Sequence, residues 1–269
     1  MTRLDQKVAV VTGGGGILCG AMSKALADAG ARVAVLDVNL EAAQKVAEQI
    51  IATGQEARGF QADVLSQDSL QQAAAAIHQK WGPVDILVNG AGGNRAQATA
   101  SPDASFFDIP ADAIQWVFNL NCLGTIMASQ TFVRDMVERE TGIVINIASM
   151  AGIRPLTRVV AYSAAKAAVA NFTQWLAVHL AQQYSPNIRV NAIAPGFFLT
   201  AQNQYLLVDD ATGQPTPRGR TILDHTPAGR YGVPEDLLGT LLWLVSDAAT
   251  FVTGTIVPVD GGFSSFSGV

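Results

Sequence analysis

The stretch Val8-Ala-Val-Val-Thr-Gly-Gly-Gly-Gly-Ile-Leu-Cys-Gly20 decides how this chain folds. Val8 to Val11 is a continuous apolar, mostly β-branched run, the pattern of a short strand buried on both faces. Thr12 and four successive glycines end it. From about Leu18 to Ala29 apolar residues then recur at helical spacing until Gly30 stops them. Glycines let a backbone take positive φ and approach a ligand closely, and a helix amino terminus offers unpaired N–H groups and a favourable dipole. A strand, a glycine turn and a helix in direct succession are therefore suited to hold a diphosphate.

Outward from this stretch the alternation continues. Strands are predicted at Arg32–Asp37, Ala57–Phe60, Asp85–Asn89, Gly142–Ala148, Asn187–Ile193 and Thr255–Val259. Helices are predicted at Glu41–Ala52, Ser69–Trp81, Ala111–Glu138, Tyr162–Gln182 and Val233–Ser246. Strands separated by helices of this length need right-handed crossovers, so the expected fold is α/β: a doubly wound, parallel seven-stranded sheet with helices on both faces. Residues 1–269 read as one domain, with 1–150 as the dinucleotide-binding half and 151–269 carrying a catalytic helix, a lid at 199–227 and a carboxyl-terminal interface.

Composition narrows the function. The chain has 269 residues, 49% apolar and 14% charged, which suits one well-buried globular unit and excludes disordered and fibrous classes. The 22 acidic residues against 17 basic ones give a net charge of −5 with no dense basic block, so nucleic acid is not an expected partner. Cys19 and Cys122 have no ligand or disulfide spacing around them and read as small buried hydrophobes. The three histidines form no ligand set, so no metal is expected. No signal-peptide or membrane-length apolar run is present, and a cytoplasmic location is expected.

Parallel sheets of this kind bind ligands beyond the carboxyl ends of their strands. Asp37 ends the second strand about twenty residues after the glycine turn, where a carboxylate can accept hydrogen bonds from both hydroxyls of an adenosine ribose. Its neighbours Gly16, Val38 and Asn39 are uncharged, so NAD is expected over NADP. Asp63-Val64 follows the third strand, and Asn89-Gly-Ala-Gly92 the fourth. In Tyr162-Ser-Ala-Ala-Lys166 the residues four apart share a helix face, so the ammonium can favour ionised phenol for acid/base work. Ser149, after the fifth strand, can hydrogen-bond the same substrate oxygen.

These residues, together with Thr12-Gly13, Asn121, Arg189-Val-Asn191, Pro195-Gly-x-x-x-Thr200 and Asp260-Gly-Gly262, resemble in order and spacing the short-chain dehydrogenase/reductases. The resemblance spans essentially the whole chain and implies an NAD(P)-dependent carbonyl/alcohol oxidoreductase on a Rossmann fold, commonly a homotetramer. It implies that Tyr162 is the general acid/base, that Ser149 holds the substrate oxygen, that Lys166 binds the nicotinamide ribose and that Asn121 completes a proton relay. It further implies cofactor contacts at Gly13, Gly16, Ile17, Leu18, Asp37, Asp63, Val64, Asn89, Gly90, Ala91, Tyr162, Lys166, Pro195, Gly196, Phe198 and Thr200. Ile17 and Cys19 stand where the family usually has glycine, and Gly16 is the candidate replacement.

The variant glycine run, the insertion from Gly90 to Phe107, the stretch Arg154-Pro-Leu-Thr-Arg158 and the tail Gly262–Val269 resemble the mannonate oxidoreductase (fructuronate reductase) branch. A small-molecule sugar acid is the substrate this implies, with Asn94, Arg154 and Arg158 beside Ser149 and Tyr162. Arg95, Arg154, Arg158, Arg218 and Arg220 all fall in loops expected near the active end, and guanidinium binds carboxylate bidentately. Gluconate, another polyol, a 3-oxoacyl substrate or a non-catalytic cofactor sensor remain alternatives. The uncharged, aromatic tail is expected to lie between subunits.

Overall fold

The computed structural model describes residues 3–101, 104–200, 204–209 and 212–268. Seven strands form one sheet: β1 (Val8–Thr12), β2 (Arg32–Asp37), β3 (Ala57–Gln61), β4 (Ile86–Asn89), β5 (Gly142–Ile147), β6 (Ile188–Pro195) and β7 (Ile256–Val259). All pair in parallel, as the alternation predicts, and they lie in the order β3-β2-β1-β4-β5-β6-β7. The order reverses between β1 and β4, opening a crevice where the glycine turn emerges.

Alternation along β1 divides the core. Ala9 and Val11 face one layer with Met22 and Leu26 of α1 (Ile17–Asp28), Val46 and Ile50 of α2 (Leu40–Ile51), and Leu241 and Leu244 near the carboxyl end. Val8 and Val10 face the other, with Leu70 and Ile77 of α3 (Gln67–Trp81), Phe132 and Met136 of α5 (Gly124–Glu138), and Leu176 and Leu180 of α6 (Val160–Gln183). Each such fully buried side chain contributes about 1.5–3 kcal/mol. Together these layers hold the strand ends at fixed positions.

Two expected helices are broken. The pattern from Ala111 to Glu138 divides into α4 (Ala111–Phe118), a π turn at Asn119–Leu123, and α5. That turn carries Asn121, and single π turns recur at functional sites. Residues 234–246 form a 3₁₀ turn (Pro234–Leu237) and then a short helix (Leu238–Leu244), because Pro234 and the Asp236 carboxylate, which accepts from Val233 N at 2.8 Å, shape its start.

The segment expected as a lid contains α7 (Gln204–Leu207) and α8 (Pro217–Asp224), while its residues 201–203 and 210–211 lie outside the described residues. The tail packs within its own chain. Phe263 meets Phe197 with ring centroids 5.1 Å apart, Phe266 meets His225 at 6.0 Å, and Arg154 Nε donates to the Ser264 carbonyl at 3.2 Å.

Candidate active site

The glycine turn is required by its neighbours. Gly13 has φ +65°, and a Cβ there would lie 2.8 Å from Ala91 Cα. At Gly14 a Cβ would meet Val35 at 2.7 Å, and at Gly15 Ala42 at 2.7 Å. Thr12 Oγ1 accepts from Gly90 N at 3.1 Å and Ala91 N at 3.2 Å, clamping the loop after β4 against the end of β1. Sequence reasoning used Thr12 only as part of a motif; a buried threonine closing a strand before glycine was the available signal.

Gly16 is the N-cap of α1 and has no side chain to bond the first helical N–H groups. The first-turn N–H groups of α1 therefore lack a side-chain cap, and unpaired donors of this kind suit a diphosphate. The departures from the usual glycine pattern are accommodated. Ile17 is exposed, Leu18 packs partly against the core, and Cys19 is buried beneath Gly90, where an added methyl would overlap its Sγ. Close packing of α1 on α2 falls to Gly20, where a Cβ would lie 3.3 Å from Val46. Burial pushes the Cys19 thiol up to about 12. It is a packing group there, as is Cys122, and neither is in a disulfide.

Asp37 stands at the end of β2, its Oδ2 accepting from Gly15 N at 3.1 Å and its Oδ1 from Asn39 N at 3.0 Å. These bonds hold the carboxylate beside the glycine turn, where a ribose is expected. Asp63 Oδ1 accepts from Leu65 N at 2.9 Å and the residue is exposed.

Several expected ligand side chains are committed elsewhere. Val64 is buried against Gly124 at the start of α5. The Asn89 amide donates to Ser129 Oγ and Asn146 Oδ1, both at 2.9 Å, and Asn146 passes the chain to Thr173, tying β4 and β5 to α5 and α6. Phe198 is buried, its ring against Gly232, so its side chain is packed inside the protein. Asn94 Nδ2 donates to Thr99 Oγ1 at 2.9 Å. A contact from Val64, Asn89 or Phe198 to a cofactor would therefore run through the main chain. Gly196, after Pro195, donates to Val259 O at 2.9 Å, and a Cβ there would lie 2.6 Å from Asp260 Cα. Gly90, Ala91, Pro195, Gly196 and Thr200 all lie at or beyond strand carboxyl ends.

The four candidate catalytic residues converge at this end of the sheet. Ser149 starts a 3₁₀ turn (Met150–Gly152), with its Oγ accepting from Ala151 N at 3.1 Å. Gly152 lets that turn rest on α6, since a Cβ would lie 2.6 Å from the Lys166 carbonyl carbon. The Ser149 hydroxyl thereby meets the Tyr162 phenol. Burial raises the phenol above its ordinary value, with Ser149 pulling it down less strongly. The expected bias of Tyr162 by Lys166 is therefore not the dominant influence on this ligand-free chain.

Lys166 Nζ donates to Ile147 O at 2.7 Å and lies 5.7 Å from the Tyr162 ring centroid. Burial lowers it to about 8. Asn121 sits below, where its Nδ2 donates to Gly93 O at 2.7 Å and Val117 O at 2.8 Å, and its Oδ1 accepts from Gly93 N at 3.2 Å. Its side chain anchors the loop after β4 to the π turn. A Cβ on Gly92 would lie 2.6 Å from Asn121 Oδ1 and 3.3 Å from Lys166 Nζ, so this glycine, read in the sequence as part of a motif and not as a site residue, lets the two approach.

The arginines separate. Arg95 stacks over Trp116 at 3.6 Å, and Arg154 holds the tail. Arg220 acts electrostatically on Tyr231, and Arg158 on Arg218. Among the described residues no group of three or more His, Cys, Asp or Glu is arranged for a metal ion, and no helix is long and apolar enough to cross a membrane.

The family described as short chain dehydrogenase matches residues 7–210. An uncharacterized oxidoreductase, UxuB, of Bacillus subtilis is 47% identical, over 99% of this chain and 98% of its own length. A solved structure from Haemophilus influenza, provisionally named a D-mannonate oxidoreductase and holding NAD, has TM-score 0.93 and 44% identity, covering 99% of this chain and 98% of that one. A gluconate 5-dehydrogenase from Burkholderia cenocepacia, in complex with NADP and tartrate, has TM-score 0.87 and 32% identity, covering 98% and 97%. With a Rossmann-like parallel sheet, a glycine turn after its first strand, a family model matching residues 7–210 and relatives alike along nearly the whole length, the chain belongs to the short-chain dehydrogenase/reductase family of oxidoreductases.

Proposed function

We propose that this chain interconverts a sugar-acid alcohol and its keto form with NAD, D-mannonate and D-fructuronate being the pair. The observation that carries the substrate class is its likeness, along nearly its whole length, to the NAD-holding protein provisionally named a D-mannonate oxidoreductase. The likeness to a gluconate 5-dehydrogenase favours gluconate as the second reading.

Gly13, Gly16 and the first turn of α1 would hold the pyrophosphate, Asp37 the adenosine ribose, Asp63 the adenine side, and Pro195 to Thr200 the carboxamide end. The nicotinamide supplies the hydride in reduction and accepts it in oxidation. In reduction Tyr162 Oη gives its proton to the substrate carbonyl oxygen as the C–H bond forms at the carbonyl carbon, and in oxidation it takes the hydroxyl proton. Ser149 Oγ donates a hydrogen bond to the same oxygen and stabilises charge developing there. Lys166 binds the ribose hydroxyls and its charge favours the phenolate. Asn121 holds the loop that borders them.

Asp37 supports NAD over NADP because its carboxylate would repel a 2′-phosphate. We propose a cytoplasmic protein that assembles as a homotetramer, the assembly being supported by exposed apolar side chains at Leu123 in the π turn and at Trp175 and Val178 on α6. A strictly monomeric mass by light scattering at micromolar concentration would overturn the assembly. The function is tested by NADH oxidation with fructuronate, 5-ketogluconate, neutral ketoses and 3-oxoacyl thioesters. Fructuronate should give the highest kcat/KM, and faster reduction of a neutral ketose rejects the sugar-acid reading.

A further inference from the structure

Beyond β4 the chain runs through Gly92-Gly-Asn-Arg95 into a 3₁₀ turn (Ala96–Ala98), and this segment is fastened along its whole length. Asn121 holds Gly93 at its N–H, at 3.2 Å, and at its carbonyl, at 2.7 Å. Thr99 Oγ1 accepts from Asn94 Nδ2 and donates to Arg95 O, both at 2.9 Å. Ala100 N donates to the Arg158 carbonyl at 2.9 Å, tying the far end to the loop before α6. Ala98 is fully buried with Ala113 and Val117 of α4 and Ala161 of α6, and Trp116 and Tyr162 pack against the same cluster. The segment is therefore a rigid border of the catalytic phenol.

Arg95 is the one charged residue from Asn94 to Ala100. Its Cζ lies 3.6 Å from the centroid of the Trp116 ring, close enough that the guanidinium rests on the ring face. Stacking engages the face of the group and leaves the N–H donors along its edge. Among the described residues no carboxylate pairs with them, whereas Arg3, Arg32, Arg139 and Arg230 pair with Asp5, Glu56, Asp85 and Asp236. Two routes fix this group relative to the reacting centre. Along the chain, Gly92 lies against Lys166 Nζ, and the span from Gly92 to Arg95 is at most about 11 Å. Across the fold, the ring that carries Arg95 shares its cluster with Tyr162.

We propose that Arg95, seated on Trp116, receives the substrate carboxylate and so makes sugar acids better substrates than neutral sugars. The inference rests on the sugar-acid reading above. A ketohexuronate has its carboxylate and its reacting ketone toward opposite ends of the carbon chain, so a ketone fixed at Ser149 and Tyr162 leaves the acid to meet the border of the site. There the donor edge of Arg95 matches a carboxylate bidentately, and the ring beneath has already restricted the side chain, which lowers the entropy lost on binding. A neutral ketose offers only hydroxyls to the same donors and forgoes the charge-assisted bonds. Trp116 is a positioning residue that acts through the guanidinium. Arg154, beside the catalytic turn, is directed to the tail carbonyl.

Kinetics form the first arm of the test. The kcat/KM for fructuronate, fructose and a ketose phosphate is measured for wild type, Arg95→Ala, Arg95→Lys, Trp116→Leu and the Arg95→Ala/Trp116→Leu double variant. The fructuronate-to-fructose ratio should fall at least about tenfold in Arg95→Ala, and less in Arg95→Lys, which keeps the charge without the fork. Trp116→Leu should lower the ratio too, and the double variant no further than Arg95→Ala alone. An unchanged ratio in Arg95→Ala, or equal losses on both substrates, overturns the proposal, and losses that add in the double variant overturn the role of Trp116. Faster wild-type turnover of the ketose phosphate than of fructuronate overturns the carboxylate assignment. In the second arm D-gluconate and sorbitol are titrated into the NADH-loaded protein, where neither is turned over. Gluconate should bind at least about tenfold tighter than sorbitol, with the difference lost in Arg95→Ala. Equal wild-type affinities, or a gluconate preference that survives in Arg95→Ala, overturn the proposal whether or not fructuronate is reduced. If the gluconate result holds while no sugar acid is turned over, the reaction proposed above fails and the carboxylate contact stands.

Discussion

At the glycine turn Thr12, Asp37 and Asn89 commit hydrogen-bonding groups to the backbone and side chains around them, whereas the loop arginines go separate ways, Arg95 onto the Trp116 ring and Arg154 to the Ser264 carbonyl. The first region is built before any ligand arrives. Its donors, turns and close approaches are fixed by strand register and by glycines that admit no side chain. The second is made of side chains whose partners lie in distant segments. A dinucleotide site can be held by backbone geometry because its ligand is large and invariant, while discrimination among small sugars needs a charge held in place with its donors left free.

The largest expected effect breaks neither region but the chemistry between them. Tyr162→Phe keeps the ring and its packing and removes the proton, so kcat should fall by about 10²–10⁴-fold while NADH titration by fluorescence still shows binding. Near-normal turnover would remove Tyr162 from its role. Asp37→Ala attacks the cofactor side itself. Losing a charge-assisted hydrogen bond of about 1.5–3 kcal/mol should raise KM for NAD by roughly tenfold or more, and relief of repulsion should narrow the gap to NADP. A wild type that prefers NADP would leave Asp37 only its bonds to Gly15 and Asn39.

The pH profile joins the two sides. Burial brings Lys166 down to about 8, whereas burial raises Tyr162 above its ordinary value. For ketone reduction the needed form is therefore abundant below about 8 and scarce above it. The kcat/KM for NADH should fall with one-proton slope as pH rises through about 8, and Lys166→Arg should shift that limb upward. A flat profile from pH 7 to 10 would contradict the assignment. Arg154→Ala should have the smallest effect. It removes a hydrogen bond to the tail carbonyl worth about 0.5–1.5 kcal/mol, lowering Tm slightly while acid-to-ketose selectivity stays near that of wild type. A tenfold or larger selectivity loss would give Arg154 a substrate contact beyond its bond to the tail.

Much of the molecule can be read along the chain. The run Val8 to Val11, the glycines after Thr12 and the helical spacing of Tyr162 and Lys166 are local patterns, and each took its expected place. The pattern from Ala111 to Glu138 hid the π turn, because one extra residue in a helical turn barely disturbs apolar periodicity. What marks it is the Asn121 amide bonding to Gly93, a contact between segments that periodicity does not connect. The tail is a similar case. Its aromatic, uncharged composition signals burial, but only packing shows Phe263 and Phe266 against Phe197 and His225 of the same chain.

By itself the sequence determined the order of strands and helices, the glycine turn and the residue types at the reacting centre, because these depend on neighbours within a few turns of backbone. Only the tertiary structure decided which partner each group meets. It placed Ala91 over Gly13 and Gly90 over Cys19, and turned Asn89 and Phe198 away from the crevice. It also sorted the loop arginines, laying Arg95 over Trp116 and turning Arg154 to the Ser264 carbonyl, because such contacts join segments that only the packed fold brings together.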